Sequence, residues 1–388
     1  MWRCGVQYIR LADDNQIKAV GAPRRCAEFI PGLFFLRTMR LPRFLRFFHT
    51  RRAELGDGHI RLMNGYVTMQ LCLALEEIGL FRELGDDPRA VKSIKELAET
   101  LRVDEYLLRA SIEFLSTVTN LFEKDGDYVN LHDPKGYRDA TWTFWLMRAY
   151  KPVLDAAAEL LRGTKTYGRD VKRDGYWLQK WSDTMTREAV LAALRLIPKD
   201  EEATLVDLGC GSADSLIAFC AGNTRRLGIG IDVDPLIAKL ARQRVTDAGI
   251  GEKIRIIHAD ILDMPQWQTN IQKTGEVVFL ASGVLHEFLR SGEGGVIQFL
   301  KNLRTVFPGS HFIMVESNAP SLEELRTMTD APRKLGSSAY RLLHSLSDQG
   351  MPQPEKRWRE ILQAAGWTIA RVVPLDRKKS RLLVFYCR

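Results

Sequence analysis

No apolar stretch of this chain approaches the roughly 18–20 residues needed to cross a bilayer as a helix, which excludes a membrane span. The charged-then-apolar opening of a secretory signal is missing too. Cysteine is scarce: six in 388 residues (Cys4, Cys26, Cys72, Cys210, Cys220, Cys387), with no Cys-x-x-Cys. That argues against a disulfide framework and a zinc ribbon, and fits reduced thiols in the cytoplasm. The seven histidines include no His-x-x-x-His, so no pair sits one helical turn apart to grip a metal. Gly-x-x-x-x-Gly-Lys-Ser/Thr is also absent, so a P-loop for phosphate is excluded. Beyond residue 52 there is no net charge. Residues 1–52 hold 11 Lys/Arg against 3 Asp/Glu, which accounts for the whole formal charge of +8. A body without net charge is a poor nucleic-acid binder, so the basicity belongs to an N-terminal arm.

What is present suffices for a large core: 45% hydrophobic residues over a length that implies two or three domains. Within the arm, Phe34 to Phe48 interleaves Phe and Leu with Arg. Such a stretch suits an anionic surface or packing on the body or a partner subunit. Met39 is an alternative start, which would make the residues before it an upstream extension.

The most informative stretch is Thr204-Leu-Val-Asp-Leu-Gly-Cys-Gly-Ser-Ala-Asp214. An apolar run ends in Asp207, and Gly209 and Gly211 follow, where backbone must pass close to a ligand without a Cβ in the way. A second apolar run, 227–231, ends in Asp232. An acid about 20 residues past a glycine turn is placed to hold ribose hydroxyls. A third run, 254–258, leads to Asp260. The third glycine of Gly-x-Gly-x-x-Gly is missing, which disfavours a nicotinamide cofactor. Acids at three successive strand ends suit a neutral or cationic adenosyl ligand.

This order of motifs resembles the class I S-adenosylmethionine (SAM) dependent methyltransferases. The resemblance implies SAM as cofactor, with Asp207, Gly209 and Gly211 at its methionine part, Asp232 at its ribose and Asp260 by its adenine. Many members have Gly where Ala213 stands, a mild departure.

Upstream, residues 53–80 carry apolar side chains at helical spacing, with Gly79 as a stop. Ser93 to Leu101 reads as a helix capped by Ser93 with Glu96 three residues on. Asp104 to Val118 reads as another helix. Two short runs around Lys124-Asp-Gly-Asp127 signal a hairpin. Three helices and a hairpin make a winged helix. As a DNA reader it would use the 104–118 helix, but Arg109 is accompanied there by Asp104, Glu105 and Glu113. The pattern resembles the N-terminal dimerisation domain of small-molecule O-methyltransferases.

Residues 139–198 form an aromatic-rich helical connector, most of it core material. Trp177, Trp181 and Met185, at i, i+4 and i+8, share one face and are candidate substrate contacts. Strands are expected near 204–207, 228–231, 254–257, 276–281, 311–316, 368–373 and 381–387. Helices are expected at about 213–222, 234–248, 292–306, 321–330 and 355–365. The expected fold is α/β: a Rossmann-like seven-stranded methyltransferase domain (201–388), preceded by the arm (1–52), a winged-helix dimerisation domain (53–138) and a connector or substrate lid (139–200).

Past the fourth strand, Leu285-His286-Glu287-Phe288 resembles the Leu-His-Asp-Trp segment of small-molecule O-methyltransferases, whose histidine is the general base. An imidazole, with an ordinary pKa of about 6.5, suits the removal of a phenol or enol proton. Glu316, closing the fifth strand, would orient that ring or bind substrate. The expected activity is methylation of a small-molecule hydroxyl in specialised metabolism, by a homodimer. Alternatives are C- or N-methylation, including metal-assisted attack on a 2-keto acid through His258 and His286, non-methylating chemistry on the same fold, or a DNA-binding regulator with SAM as ligand.

Overall fold

The computed structural model describes residues 58–85, 87, 89–197, 202–272, 275–375 and 382–388. The basic arm, the alternative start at Met39 and the first residues of the helix expected at 53 lie outside them. The described residues belong to one compact unit, Arg43–Arg388.

The N-terminal part contains α1 (Gly58–Glu77), α2 (Leu80–Leu84), β1 (Lys92–Ser93), α3 (Ile94–Leu101), α4 (Glu105–Val118), β2 (Phe122–Asp125) and β3 (Tyr128–Leu131). The three strands pair in the order β1-β3-β2, all antiparallel. Its core gathers Cys72, Leu80, Phe81, Leu97, Ile112, Leu115, Phe122 and Val129. Asp104 caps α4, its carboxylate accepting the Leu107 N–H at 2.8 Å. Ser93 stands at the cap of α3, yet its hydroxyl makes no capping bond, so the expected capping box is not formed. Arg109 is held by Glu105 at 2.8 Å and by Asp127 of the hairpin at 2.5 Å. The one basic side chain on that helix is thus neutralised from within.

The connector comprises α5 (Pro134–Asp155), α6 (Ala157–Arg162) and α7 (Gly175–Leu194). Then come β4 (Ala203–Leu208), α8 (Asp214–Cys220), β5 (Arg226–Asp232), α9 (Pro235–Asp247), β6 (Ile254–His258), β7 (Glu276–Ser282), α10 (Gly294–Val306), β8 (His311–Ser317), α11 (Leu322–Thr327), α12 (Ala331–Leu346), α13 (Glu355–Ala364), β9 (Ile369–Leu375) and β10 (Leu382–Cys387). Seven strands form one sheet in the order β6-β5-β4-β7-β8-β10-β9, parallel except for β10, which runs against both neighbours.

Every residue of β4 is buried, as a parallel strand covered on both faces requires. Alternation sorts the side chains to opposite faces. Val206, Phe279 and Phe312 join Trp267, Trp358 and Trp367 on one side. Leu205, Leu280 and Ile313 join Ala189, Ala193 and Phe219 on the other. The chain reverses direction across the sheet between β4 and β7, which opens a crevice at their carboxyl ends.

Candidate active site

The turn after β4 is built around positive φ. Gly209 (φ 78°), Gly211 (φ 52°) and Ala213 (φ 65°) are all left-handed. Ala213 is buried in a conformation that costs an L-residue about 1–2 kcal/mol, which gives a physical reason for glycine at this position elsewhere. A Cβ on Gly211 would overlap the Gln179 side-chain amide of α7, at 2.1 Å. A Cβ on Gly209 would press on Val284 at 3.1 Å. The glycine turn therefore touches the segment that carries His286.

Asp232 ties the turn to β5. Its carboxylate accepts the Gly211 N–H and the Asp234 N–H, each at 3.0 Å. Burial raises its pKa. Asp207 is fully enclosed and accepts the Ser215 hydroxyl, and burial pushes its pKa up to about 7. Asp260 is exposed at the third strand end and accepts the Leu262 N–H at 2.9 Å. A cavity of about 350 Å³ opens between α7, α8 and the glycine turn, with Asp183, Asp207, Gly209, Cys210 and Ser282 in its wall. The Asp183 carboxylate accepts the Ser212 hydroxyl at 2.8 Å, so α7 reaches directly onto the turn.

His286 lies buried just past β7, in a 3₁₀ stretch over Leu285–Ser291. Its Nδ1 lies 2.9 Å from Glu316 Oε2, and its backbone N–H donates to Oε1 at 3.2 Å. The two residues meet because β7 and β8 are parallel neighbours. Burial alone would push the His286 pKa down. The Glu316 carboxylate, through charge and hydrogen bond, outweighs that and holds it above the ordinary histidine value.

On its other side, His286 Nε2 lies 3.1 Å from His344 Nε2. His344 Nδ1 is 2.9 Å from the Tyr340 carbonyl one turn earlier in α12. Burial, then the proximity of His286, pushes the His344 pKa down to about 3, so this ring is neutral. Tyr340 packs on His344 with ring centroids 4.0 Å apart and on Trp181 at 5.8 Å.

Arg173, from the loop before α7, closes another wall. It donates to Glu287 at 3.0 Å, Gln349 at 2.9 Å, Tyr167 at 3.0 Å and Tyr150 at 3.3 Å. Burial disfavours its charge, but Glu287 more than offsets that and the guanidinium stays protonated.

The structure thus brings His286 and Glu316 into direct contact and sets Gly209 against Val284, two residues before His286. Trp177 and Trp181 pack against the cluster of Tyr150, Val153 and Leu343, and Lys180 lies 4.8 Å from the Trp177 ring centroid. Met185 is half-buried two turns beyond Trp177. His258 is not brought to His286. It ends β6, two strands further out from β4, and its Nε2 lies 3.1 Å from the Val233 carbonyl. That pairing for a metal is corrected by the sheet order itself.

Sequence periodicity missed α12, and with it Tyr340 and His344. The 321–330 helix is shorter than expected, and a second helix follows it. Asp330 followed by Ala-Pro was a usable signal, since Asp at the cap with Pro in the first turn opens a helix. Arg173 stood in a polar loop that offers no periodic signal.

Fold and site define a class. Strand order, glycine turn and acids at strand ends after a winged-helix unit match the fold of class I SAM-dependent methyltransferases, in the arrangement seen in solved structures of small-molecule O-methyltransferases. Among particular proteins, a curated 2-ketoarginine methyltransferase of Streptomyces arginensis is 26% identical over 318 residues, covering 80% of this chain and 87% of its own. Human N-acetylserotonin methyltransferase in complex with SAM superposes with a TM-score of 0.61 at 15% identity, over 86% of this chain and 99% of its own. Mitomycin 7-O-methyltransferase does so with a TM-score of 0.56 at 17% identity, over 84% and 95%. No protein-family profile matches the chain.

Proposed function

We propose that this protein transfers the methyl group of SAM to a small-molecule acceptor, in the first instance a hydroxyl, in specialised metabolism. One observation carries most weight: His286, backed by Glu316, sits two residues past Val284, which packs on the glycine turn. Donor and activating group thereby share one sheet edge. Bound SAM supplies a methyl on a positively charged sulfur, which leaves with its bonding pair on sulfur as the acceptor attacks in line.

The chain's own residues divide the remaining work. Asp207, Gly209 and Gly211 shape the seat of the methionine part. Asp232 takes the ribose and Asp260 stands by the adenine. In this reading His286 activates the acceptor by taking its proton, while Glu316 fixes the ring and favours the charge it gains. Trp177, Trp181 and Met185 on α7 line the acceptor's side.

A second reading is favoured by the name of the curated relative. A 2-keto acid acidifies the carbon beside its carbonyl, and the same edge would serve C-methylation. The regulator reading has less support, since Arg109 is spent on its own acids. As to assembly, we propose a homodimer through the winged-helix unit, where α1 leaves Leu62, Met63 and Tyr66 exposed.

The test is His286→Ala. Turnover of an accepted substrate should fall about 10²–10⁴-fold with S-adenosylhomocysteine affinity nearly unchanged. Unchanged turnover would remove His286 from the chemistry.

A further inference from the structure

Helix α7 presents two faces. Trp177 and Trp181 pack on the cluster around Tyr150, while Asp183 and Arg187 look into the cavity beside the glycine turn. Side chains four positions apart on a helix are neighbours, with about 5–6 Å between their Cβ atoms. The cavity holds about 350 Å³, and Gly209 and Ser282 share its wall with them.

The charged groups of that wall divide into spent and unspent. Arg244 is paired with Asp214 at 2.5 Å. Asp207 accepts the Ser215 hydroxyl. Asp183 accepts the Ser212 hydroxyl at 2.8 Å and the Gln179 amide at 2.7 Å, yet among the described residues no cation stands within ion-pair distance of it. Burial raises its pKa, so a cation brought beside it would be favoured by the charge it lets the carboxylate keep. Arg187 stands at the exposed rim of the cavity and, among the described residues, makes neither an ion pair nor a side-chain hydrogen bond. One helical turn separates these two opposite charges on one face, and they do not bond to each other.

A separate observation points to a polar ligand in the same place. The Ser282 hydroxyl, at the end of β7, is buried without a partner. A buried hydroxyl without a partner marks a position where a bound molecule can supply the missing hydrogen bond.

An available carboxylate and an unpaired guanidinium at this spacing complement a ligand that carries an ammonium and a carboxylate on one carbon. The amino-acid end of SAM is such a group. We propose that α7 reads this end of the donor, Asp183 receiving the α-ammonium and Arg187 the α-carboxylate, with the Ser282 hydroxyl closing the seat from the sheet edge. The planar fork of arginine matches a carboxylate with two parallel hydrogen bonds. This inference rests on the methyl-transfer reading and deepens it. The glycine turn makes room for the methionine part, and the connector helix selects for its charges.

The experiment is calorimetry on the full chain with three probes. S-adenosylhomocysteine has both charged groups, S-adenosyl-3-thiopropylamine lacks only the carboxylate, and 5′-methylthioadenosine lacks the whole amino-acid end. The wild type should bind the first more tightly than the second by about 10–100-fold. Arg187→Gln should remove that preference by weakening S-adenosylhomocysteine alone, and Arg187→Lys should restore part of it. Asp183→Asn should weaken both amine-bearing probes and spare 5′-methylthioadenosine. Circular dichroism and 5′-methylthioadenosine binding establish that each variant is folded.

Arg187→Gln with wild-type affinity for S-adenosylhomocysteine overturns the proposal. So does a uniform loss for all three probes, which marks a structural role, or an Asp183→Asn variant that binds S-adenosyl-3-thiopropylamine as the wild type does. In each of these cases the methyl-transfer reading stands. A folded wild type that binds none of the probes defeats that reading, and this inference with it.

Discussion

Asp207 shows how one residue can be both structurally costly and useful. Enclosed beneath the glycine turn, it holds a carboxyl whose pKa is pushed up to about 7 by burial. The ordinary aspartate value is about 3.9. A raised folded-state pKa means that the unfolded chain releases this proton first as pH climbs. The stability associated with the neutral carboxyl is therefore intact below about pH 4, is lost between about pH 4 and 7, and stays lost above. A three-unit shift corresponds to a loss on the order of 4 kcal/mol. Urea unfolding at pH 4.5 and 7.5 should show the wild type losing stability across that window, and Asp207→Asn losing distinctly less. Equal losses would mean that Asp207 does not titrate in the window. The position was readable from the sequence because an apolar run ends at Asp207. The pKa was not, because it depends on what covers the carboxyl.

At the scale of elements, strands and helices of the catalytic domain were legible wherever a clear hydrophobic period met a clear stop. The strand expected at 204–207 is Ala203–Leu208, and that at 276–281 is Glu276–Ser282. The winged-helix elements were legible for the same reason. Helix α12 was not. Its Leu335 and Leu342 are exposed, and its inward face holds Leu343 together with the polar Tyr340 and His344, so few apolar residues mark it. Its start depends on Asp330, whose carboxylate accepts the Arg333 N–H at 3.2 Å. Asp330→Ala should weaken the first turn by about 1 kcal/mol. Hydrogen exchange should then speed up through α12 while the β4 amides stay protected. Unchanged exchange in α12 would show that its packing, not its cap, holds it.

For the whole molecule, sequence order alone implied a mostly parallel sheet with one reversed strand, because two strands separated by a short polar turn must pair antiparallel. What it could not give was the folding of the connector back onto the sheet edge. That places Arg173 against Glu287 across 114 positions of sequence and Trp181 against Tyr340. Such long-range contacts leave no local signal, so the surroundings of His286 emerge only in three dimensions. Assembly belongs to this scale too. Light scattering should find a dimer, and Tyr66→Glu on the exposed face of α1 should shift it toward monomer. A monomeric wild type would contradict the dimer.

The central claim is that the glycine turn and the acids at the strand ends hold the adenosyl donor of a methyl transfer. Isothermal titration calorimetry of the folded full chain with S-adenosylhomocysteine tests it most directly. One molecule bound per chain, with affinity weakened in Asp232→Asn but retained in His286→Ala, is the predicted result. Absence of binding to folded wild-type protein would contradict it.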